Sequence, residues 1–310
     1  MESPKKKRCY YLPDTGIVYC HNCGSSLKAF NWIKEVSNCS SSDIIEEVRD
    51  YEVTIDVDVK EETVTKVNTK TLPEDSINLS DKNQLEFYKH NDIIRATLHL
   101  IKSRRLDTAV NRPDNLYISL TDRVHKNRLV IPFVNELNVI EFYQTRTVLT
   151  RDNKIKPKYL GKVGSEKILF NINKIKQNID NVYIFEGPIN AFFTKNSIAV
   201  AGITERGKSF TYRQQQQLDT TLKLHNRIWI LDSQWIDRAS LIKTESLLQQ
   251  GESVFIWPEK YGKKFKDFND IAMHYNINEI KAHFIQSNTY RNIEGIVKLS
   301  AIKRYSIDQA

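Results

Sequence analysis

Four acidic residues in the C-terminal half stand where open α/β sheets do their chemistry. Glu186 follows the apolar run 182–185, and Asp232 follows the run 228–231. Asp267 and Asp270 lie in a Lys-Asp-Phe-Asn-Asp loop, residues 266–270, beyond a further apolar run at 254–257. Ligands of such sheets bind at the carboxyl ends of the strands, so these acids are expected on one rim. Hard carboxylate oxygens there suit Mg²⁺ or Mn²⁺, which take one or two carboxylates plus substrate phosphates. Ions of this kind stabilise the attacking and leaving oxygens of phosphoryl transfer. Each acid alone is more often a helix cap or a solvated turn; Asp232 could cap a helix starting near Ile236. Order and spacing carry the reading.

The elements that would position these acids follow from the hydrophobic pattern. Strands are expected at 182–185, 198–201, 228–231 and 254–257, with helices at 189–196, 211–223 and 236–250. Short apolar strands alternating with helices imply an α/β fold with a mostly parallel four-stranded sheet and flanking helices, over residues 179–275. Upstream, 83–178 reads as an α+β region. It has a helical pattern over 83–110, then strands at 129–131 and 139–143 separated by a turn at 135–138. Residues 39–82, rich in Ser, Thr, Asp, Glu, Val and Lys, read as a linker. Residues 1–38 form a small, turn-rich, cysteine-bearing unit with a strand-like run at 16–19 and a helix carrying Phe30, Trp32 and Ile33. Residues 276–310 read as a basic helical tail.

The chain has 310 residues, with 46 Lys and Arg against 38 Asp and Glu, a formal charge of +8. Clusters at 5–8, 102–105 and 263–266 can neutralise phosphates, although a positive balance is also common on ordinary surfaces. No apolar run approaches the ~18 residues that span a bilayer, and no secretory signal opens the chain. A cytoplasmic protein is expected, in the host bacterium if the gene is viral, with no membrane partner. In that setting the Cys20–Cys23 CxxC pair points to metal or redox chemistry rather than to disulfides.

The order strand-Glu-Gly, strand-Asp-x-x and Lys-Asp loop resembles the Toprim domain of primases, topoisomerases and some nucleases. Within that group the chain looks most like the DNA primases of T-even-type tailed phages. The stretches that carry the resemblance are RLVIPF (128–133), KPKYL (156–160), IFEGPINAFF (184–193), WILD (229–232) and KDFND (266–270), with CHNC (20–23) matching half of a zinc ribbon. The resemblance implies metal-dependent synthesis of RNA primers from NTPs on single-stranded DNA. It casts Glu186, Asp232 and Asp267 as catalytic and metal-binding, with Asp270 a further Mg²⁺ or Mn²⁺ ligand. Arg128, Arg146, Lys158 and Lys266 would hold nucleotide phosphates and the primer–template. Cys20 and Cys23 would hold Zn²⁺.

The chain departs from the family pattern at three places. Gln234 replaces the second acid of a DxD motif, Asn190 replaces an Asp, and the first CxxC of the ribbon would fall before Met1. Asp237 could stand in for the missing acid, and Cys9 or His21 for a missing zinc ligand. No Walker A motif is present, so a replicative helicase would be a separate polypeptide. A Toprim nuclease and a non-catalytic nucleic-acid-binding replisome protein are the competing readings.

Overall fold

The structure, a computed structural model, describes residues 9–12, 16–20, 26–37, 44, 72–148, 157–202 and 210–308. Three sheets follow one another along the chain. The first is antiparallel, with β1 (Cys9–Leu12), β2 (Ile17–Cys20) and β3 (Ser26–Lys28), and leads into helix α1 (Ala29–Ser37). The expected strand-like run and the helix that follows it are both present. Tyr19 of β2 is buried, and its hydroxyl accepts a hydrogen bond of 2.7 Å from the Gly161 amide of the second sheet. A Cβ at residue 161 would come within 2.9 Å of that hydroxyl and of the Phe142 ring, so the close approach requires glycine.

The second sheet is antiparallel in the order β4 (Ile77–Asn78), β5 (Tyr117–Ser119), β6 (Arg128–Val134), β7 (Ile140–Thr147), β8 (Tyr159–Gly161). The expected turn between β6 and β7 is an Asx turn. The Asn135 side chain accepts from the Leu137 and Val139 amides at 3.0 Å each, and Asn138 takes the left-handed conformation. The helical pattern of 83–110 resolves into two helices, α2 (Lys82–Phe87) and α3 (Asp92–Ser103). Asn91 breaks it by capping α3, accepting from the Ile93 and Ile94 amides at 3.0 and 3.1 Å. The described end of the expected linker is not one: Ile77 and Leu79 are buried, and β4 pairs with β5.

The third sheet corrects the four-stranded expectation. It has five strands, in the order β10 (Ser197–Ala199), β9 (Asn181–Phe185), β11 (Asn226–Ile230), β12 (Ser253–Phe255), β13 (Thr289–Arg291). The first four in that order are parallel, and β13 is antiparallel to β12. The expected helical tail therefore supplies an edge strand before its long helix. Helices α4 (Pro188–Ala191), α5 (Tyr212–Asp219), α6 (Arg238–Gln249), α7 (Glu259–Gly262), α8 (Phe268–Tyr275), α9 (Ala282–Gln286) and α10 (Asn292–Asp308) complete this part.

Both faces of the parallel sheet are covered, which is why its strands read as unbroken apolar runs. On one face Tyr183, Phe185, Ile228, Ile230 and Phe255 join Leu129, Ile131, Phe133 and Phe142 of the antiparallel sheet in a single core. On the other, Val182, Ile184, Trp229 and Val254 pack with Leu247 and Leu248 of α6 and Leu299 and Ile302 of α10. Each such large side chain contributes about 1.5–3 kcal/mol on burial. The shared core sets the two larger sheets against each other and brings their ends together at one junction.

Candidate active site

At the carboxyl rim of the parallel sheet, the strand directions alone place Glu186 after β9 and Asp232 two residues beyond β11. The Glu186 carbonyl accepts from the Gly202 amide at 2.9 Å, fixing the turn after β10 to the turn after β9. The Ser233 amide donates to the Lys266 carbonyl at 2.7 Å, and its hydroxyl to the Gly262 carbonyl at 2.7 Å. These bonds tie the loop bearing Asp232 to the loop bearing Asp267. Asp267 caps α8, accepting from the Asp270 amide at 2.9 Å, and Asp270 accepts from the Lys266 amide at 3.1 Å.

Asp232 is poorly compensated. Its polar neighbours are the Asn190 amide at 3.4 Å and the Lys266 ammonium at 3.8 Å, both long. Burial, with Asp267 and Glu186 close by, pushes its carboxyl up to about 7. Asp267 is likewise raised by burial and by Asp270. Carboxyls raised by burial and by each other favour a close cation, and their hard oxygens suit a divalent ion. Among the described residues no three acidic, His or Cys side chains are gathered tightly enough to hold an ion by themselves. Mg²⁺ tolerates this, because it keeps several waters and takes phosphate oxygens alongside one or two carboxylates. Asp232 and Asp267 would hold it, and the donor set fits.

Glu186 differs from its neighbours. The Lys243 ammonium, on α6, donates to both of its oxygens at 2.9 and 3.0 Å. Sequence reasoning passed over Lys243. The available signal was its place at helical spacing among Ser240, Thr244, Leu247 and Leu248, all buried.

Two further expectations meet a definite geometry. Gln234 is buried and bonded through both of its amide atoms. Its Nε2 donates to the Thr244 hydroxyl at 2.9 Å and the Phe255 carbonyl at 3.1 Å, while its Oε1 accepts from the Trp257 amide at 3.1 Å. These bonds brace the loop against the sheet. Asp237, the suggested substitute acid, caps α6 by accepting from the Ala239 amide at 2.9 Å.

Basic residues from the antiparallel region face the acids. Lys158 is pushed down to about 8 by burial and by Arg146 and Arg104, with Asp267 opposing. Arg146 is 4% exposed; it bonds the Tyr159 hydroxyl, its guanidinium lies 5.2 Å from that ring centre, and its Nε is buried without a partner. Arg104, which ends α3 and was visible only as part of a basic cluster, donates to the Asn269 side chain at 2.7 Å. The Asn269 amide donates to Asn190 at 3.3 Å, and Asn190 reaches Asp232, so a polar chain crosses the junction. Crowded cations with an unmet donor are the complement of a polyanion.

Arg128 stands apart from this group. It is 2% exposed, and its guanidinium donates to the Thr145 hydroxyl at 3.0 Å and to the Pro157 and Lys158 carbonyls at 2.7 and 3.0 Å. It positions the segment that carries Lys158. In the N-terminal sheet Cys20 lies opposite Cys9 in the β1–β2 register; Cys23 is outside the described residues, as is Lys156. Among the described residues no helix is long and apolar enough to cross a membrane.

No family model matches the chain. Weak structural likenesses are found to the Aquifex aeolicus primase zinc-binding and RNA polymerase domains, at 16% identity and a TM-score of 0.42, covering 98% of this chain and 83% of that one. The RNA polymerase domain of the Mycobacterium tuberculosis primase DnaG, in complex with an overhanging double-stranded DNA, gives 12% identity and a TM-score of 0.42, covering 69% and 66%. In sequence, 148 residues are 28% identical to the DNA primase of Enterobacteria phage T4, covering 48% of this chain and 39% of that protein. The expected resemblance to T-even-type phage primases is thereby borne out, and over that stretch the chain is related to the phage T4 DNA primase.

Proposed function

We propose that this chain is a DNA primase, joining ribonucleotides on a single-stranded DNA template. One observation carries the reading: half-buried Asp232 and Asp267, both with raised carboxyls, share one junction with the crowded cations Arg104 and Lys158 and with Arg146, whose Nε is unpaired. A site that must bind both a divalent ion and polyphosphate needs both halves at once. In the reaction a 3′-hydroxyl oxygen attacks the α-phosphorus of an incoming nucleoside triphosphate. A P–O bond forms there, and pyrophosphate leaves. Mg²⁺ or Mn²⁺, when bound, neutralises charge on the phosphates. Asp232 and Asp267 would hold that ion, with Asp270 supporting the loop through the Lys266 amide. Arg146, Lys158 and Lys266 take phosphate oxygens of the triphosphate or of the primer–template. Arg104 braces the junction through Asn269. A helicase on a separate polypeptide would carry the chain along the fork.

The test is template-directed synthesis from NTPs on single-stranded DNA with Mg²⁺ or Mn²⁺, with and without a replicative helicase. Short RNA products that depend on template, metal and Asp232 are expected. Degradation of the template with no RNA product would indicate the nuclease reading instead, and template binding without either product a non-catalytic protein.

A further inference from the structure

The Lys243–Glu186 pair bears on how many ions the rim can take. Lys243 is 6% exposed at its side chain, whereas Glu186 is 32% exposed. The ammonium sits 2.9 and 3.0 Å from the two carboxylate oxygens, in the position from which one cation engages both. Its stem rises from the buried face of α6 beside Ser240, Thr244 and Leu247. It cannot swing into solvent without leaving that packing. A divalent ion bound to the same oxygens would stand within a few ångströms of a fixed positive charge, where repulsion in a partly buried site is strong. Gln234, on the next loop, adds no charge and is wholly committed to its neighbours. With Glu186 neutralised from within the protein and Asp270 tied to the Lys266 amide, Asp232 and Asp267 are the acids left for an ion.

We propose that Lys243 is a positioning residue that fills the cation place at Glu186, so that the rim takes a single divalent ion, held by Asp232 and Asp267. The inference rests on the metal-site reading above and refines it. Glu186 then serves as a fixed, oriented carboxylate beside the ion instead of a ligand to it.

The experiment is a Mn²⁺ titration of the full chain without nucleotide, reading free Mn²⁺ by electron paramagnetic resonance. The parent should bind one Mn²⁺. Asp232→Asn should weaken binding about tenfold or more, while Glu186→Gln should change it by less than about twofold. Lys243→Met keeps much of the stem and removes the charge; it should add a second Mn²⁺ or tighten binding about tenfold, and Glu186→Gln in the same chain should erase that gain. Lys243→Arg should behave as the parent. A purely structural lysine would move none of these binding values. If Lys243→Met does not fold, the Glu186→Gln and Lys243→Arg chains still decide. Glu186→Gln weakening Mn²⁺ as much as Asp232→Asn, two ions in the parent, or a folded Lys243→Met that binds as the parent would each overturn the proposal while leaving the metal site standing. Failure of Asp232→Asn to affect Mn²⁺ would instead remove the metal-site reading, and the inference with it.

Discussion

The two faces of the β6–β7 hairpin bury arginines in opposite ways. Arg128 pairs with Thr147 in the register and Leu129 with Arg146, so the two arginines point to opposite sides of the sheet. On the first side Arg128, Thr145 and the Pro157 and Lys158 carbonyls close on one another within 3.0 Å. His125 joins them through Thr145 at 3.0 Å and is pushed down to about 4 by burial, with Arg128 nearby, so it is neutral there. On the second side Arg146 keeps a buried Nε unpaired beside Arg104 and Lys158, the two cations that act on Asp267 across the junction. Both regions bury charge, which is costly unless it is met. The first meets its charge internally, with only the uncharged Nε2 of His125 left without a partner, and so serves the fold. The second leaves it open and so serves a ligand.

Breaking the open side should cost function without cost to the fold. Asp232→Asn is expected to lower primer synthesis at least about a hundredfold, because the charge that holds the ion is gone; single-turnover product formation would check this, and parental rates at saturating Mg²⁺ would count against it. Breaking the closed side should do the reverse. Arg128→Met leaves two carbonyls and a hydroxyl without their donor, and should lower unfolding stability by about 3 kcal/mol in urea denaturation. A folded, fully stable Arg128→Met chain with weakened template binding would move Arg128 to the open side. Gln234→Asp sharpens the contrast within one loop. If Gln234 is a brace, the added acid should cost about 1–3 kcal/mol of stability and bring no gain in Mg²⁺-dependent rate; a faster enzyme would reinstate it as a ligand position. The smallest effect is expected for Lys158→Ala. The log–log salt dependence of template binding should become shallower by about one unit, with the melting temperature unchanged.

What the sequence could show follows from the reach of each signal. Strands β9, β10, β11 and β12 were legible because two-sided burial makes them continuous apolar runs. β13 was not, since Thr289–Arg291 is three residues long and owes its conformation to pairing with β12. The break between α2 and α3 was written in Asn91, a strong cap embedded in a pattern that the apolar spacing alone carries through. The acids were legible because strand ends dictate their rim. Their counterparts were harder. Arg104 meets Asn269 across 165 residues of sequence. Lys243 looks like any surface lysine until its helix face is known, and Arg128 faces away from Arg146 by the alternation of a single strand position.

The central claim is that Asp232 carries a charge the fold does not compensate, kept for an ion. Its carboxyl is raised to about 7 from an ordinary 3.8, so the folded state is penalised relative to the unfolded one as the pH rises through that interval, and fully above it. Urea denaturation of the parent and Asp232→Asn chains in EDTA at pH 8 tests this most directly. The variant should be the more stable of the two, and its advantage should shrink when the measurement is repeated at pH 5. An Asp232→Asn chain less stable than the parent at pH 8 would mean that the carboxylate is satisfied within the protein, and the distinction between the closed and open sides would fail.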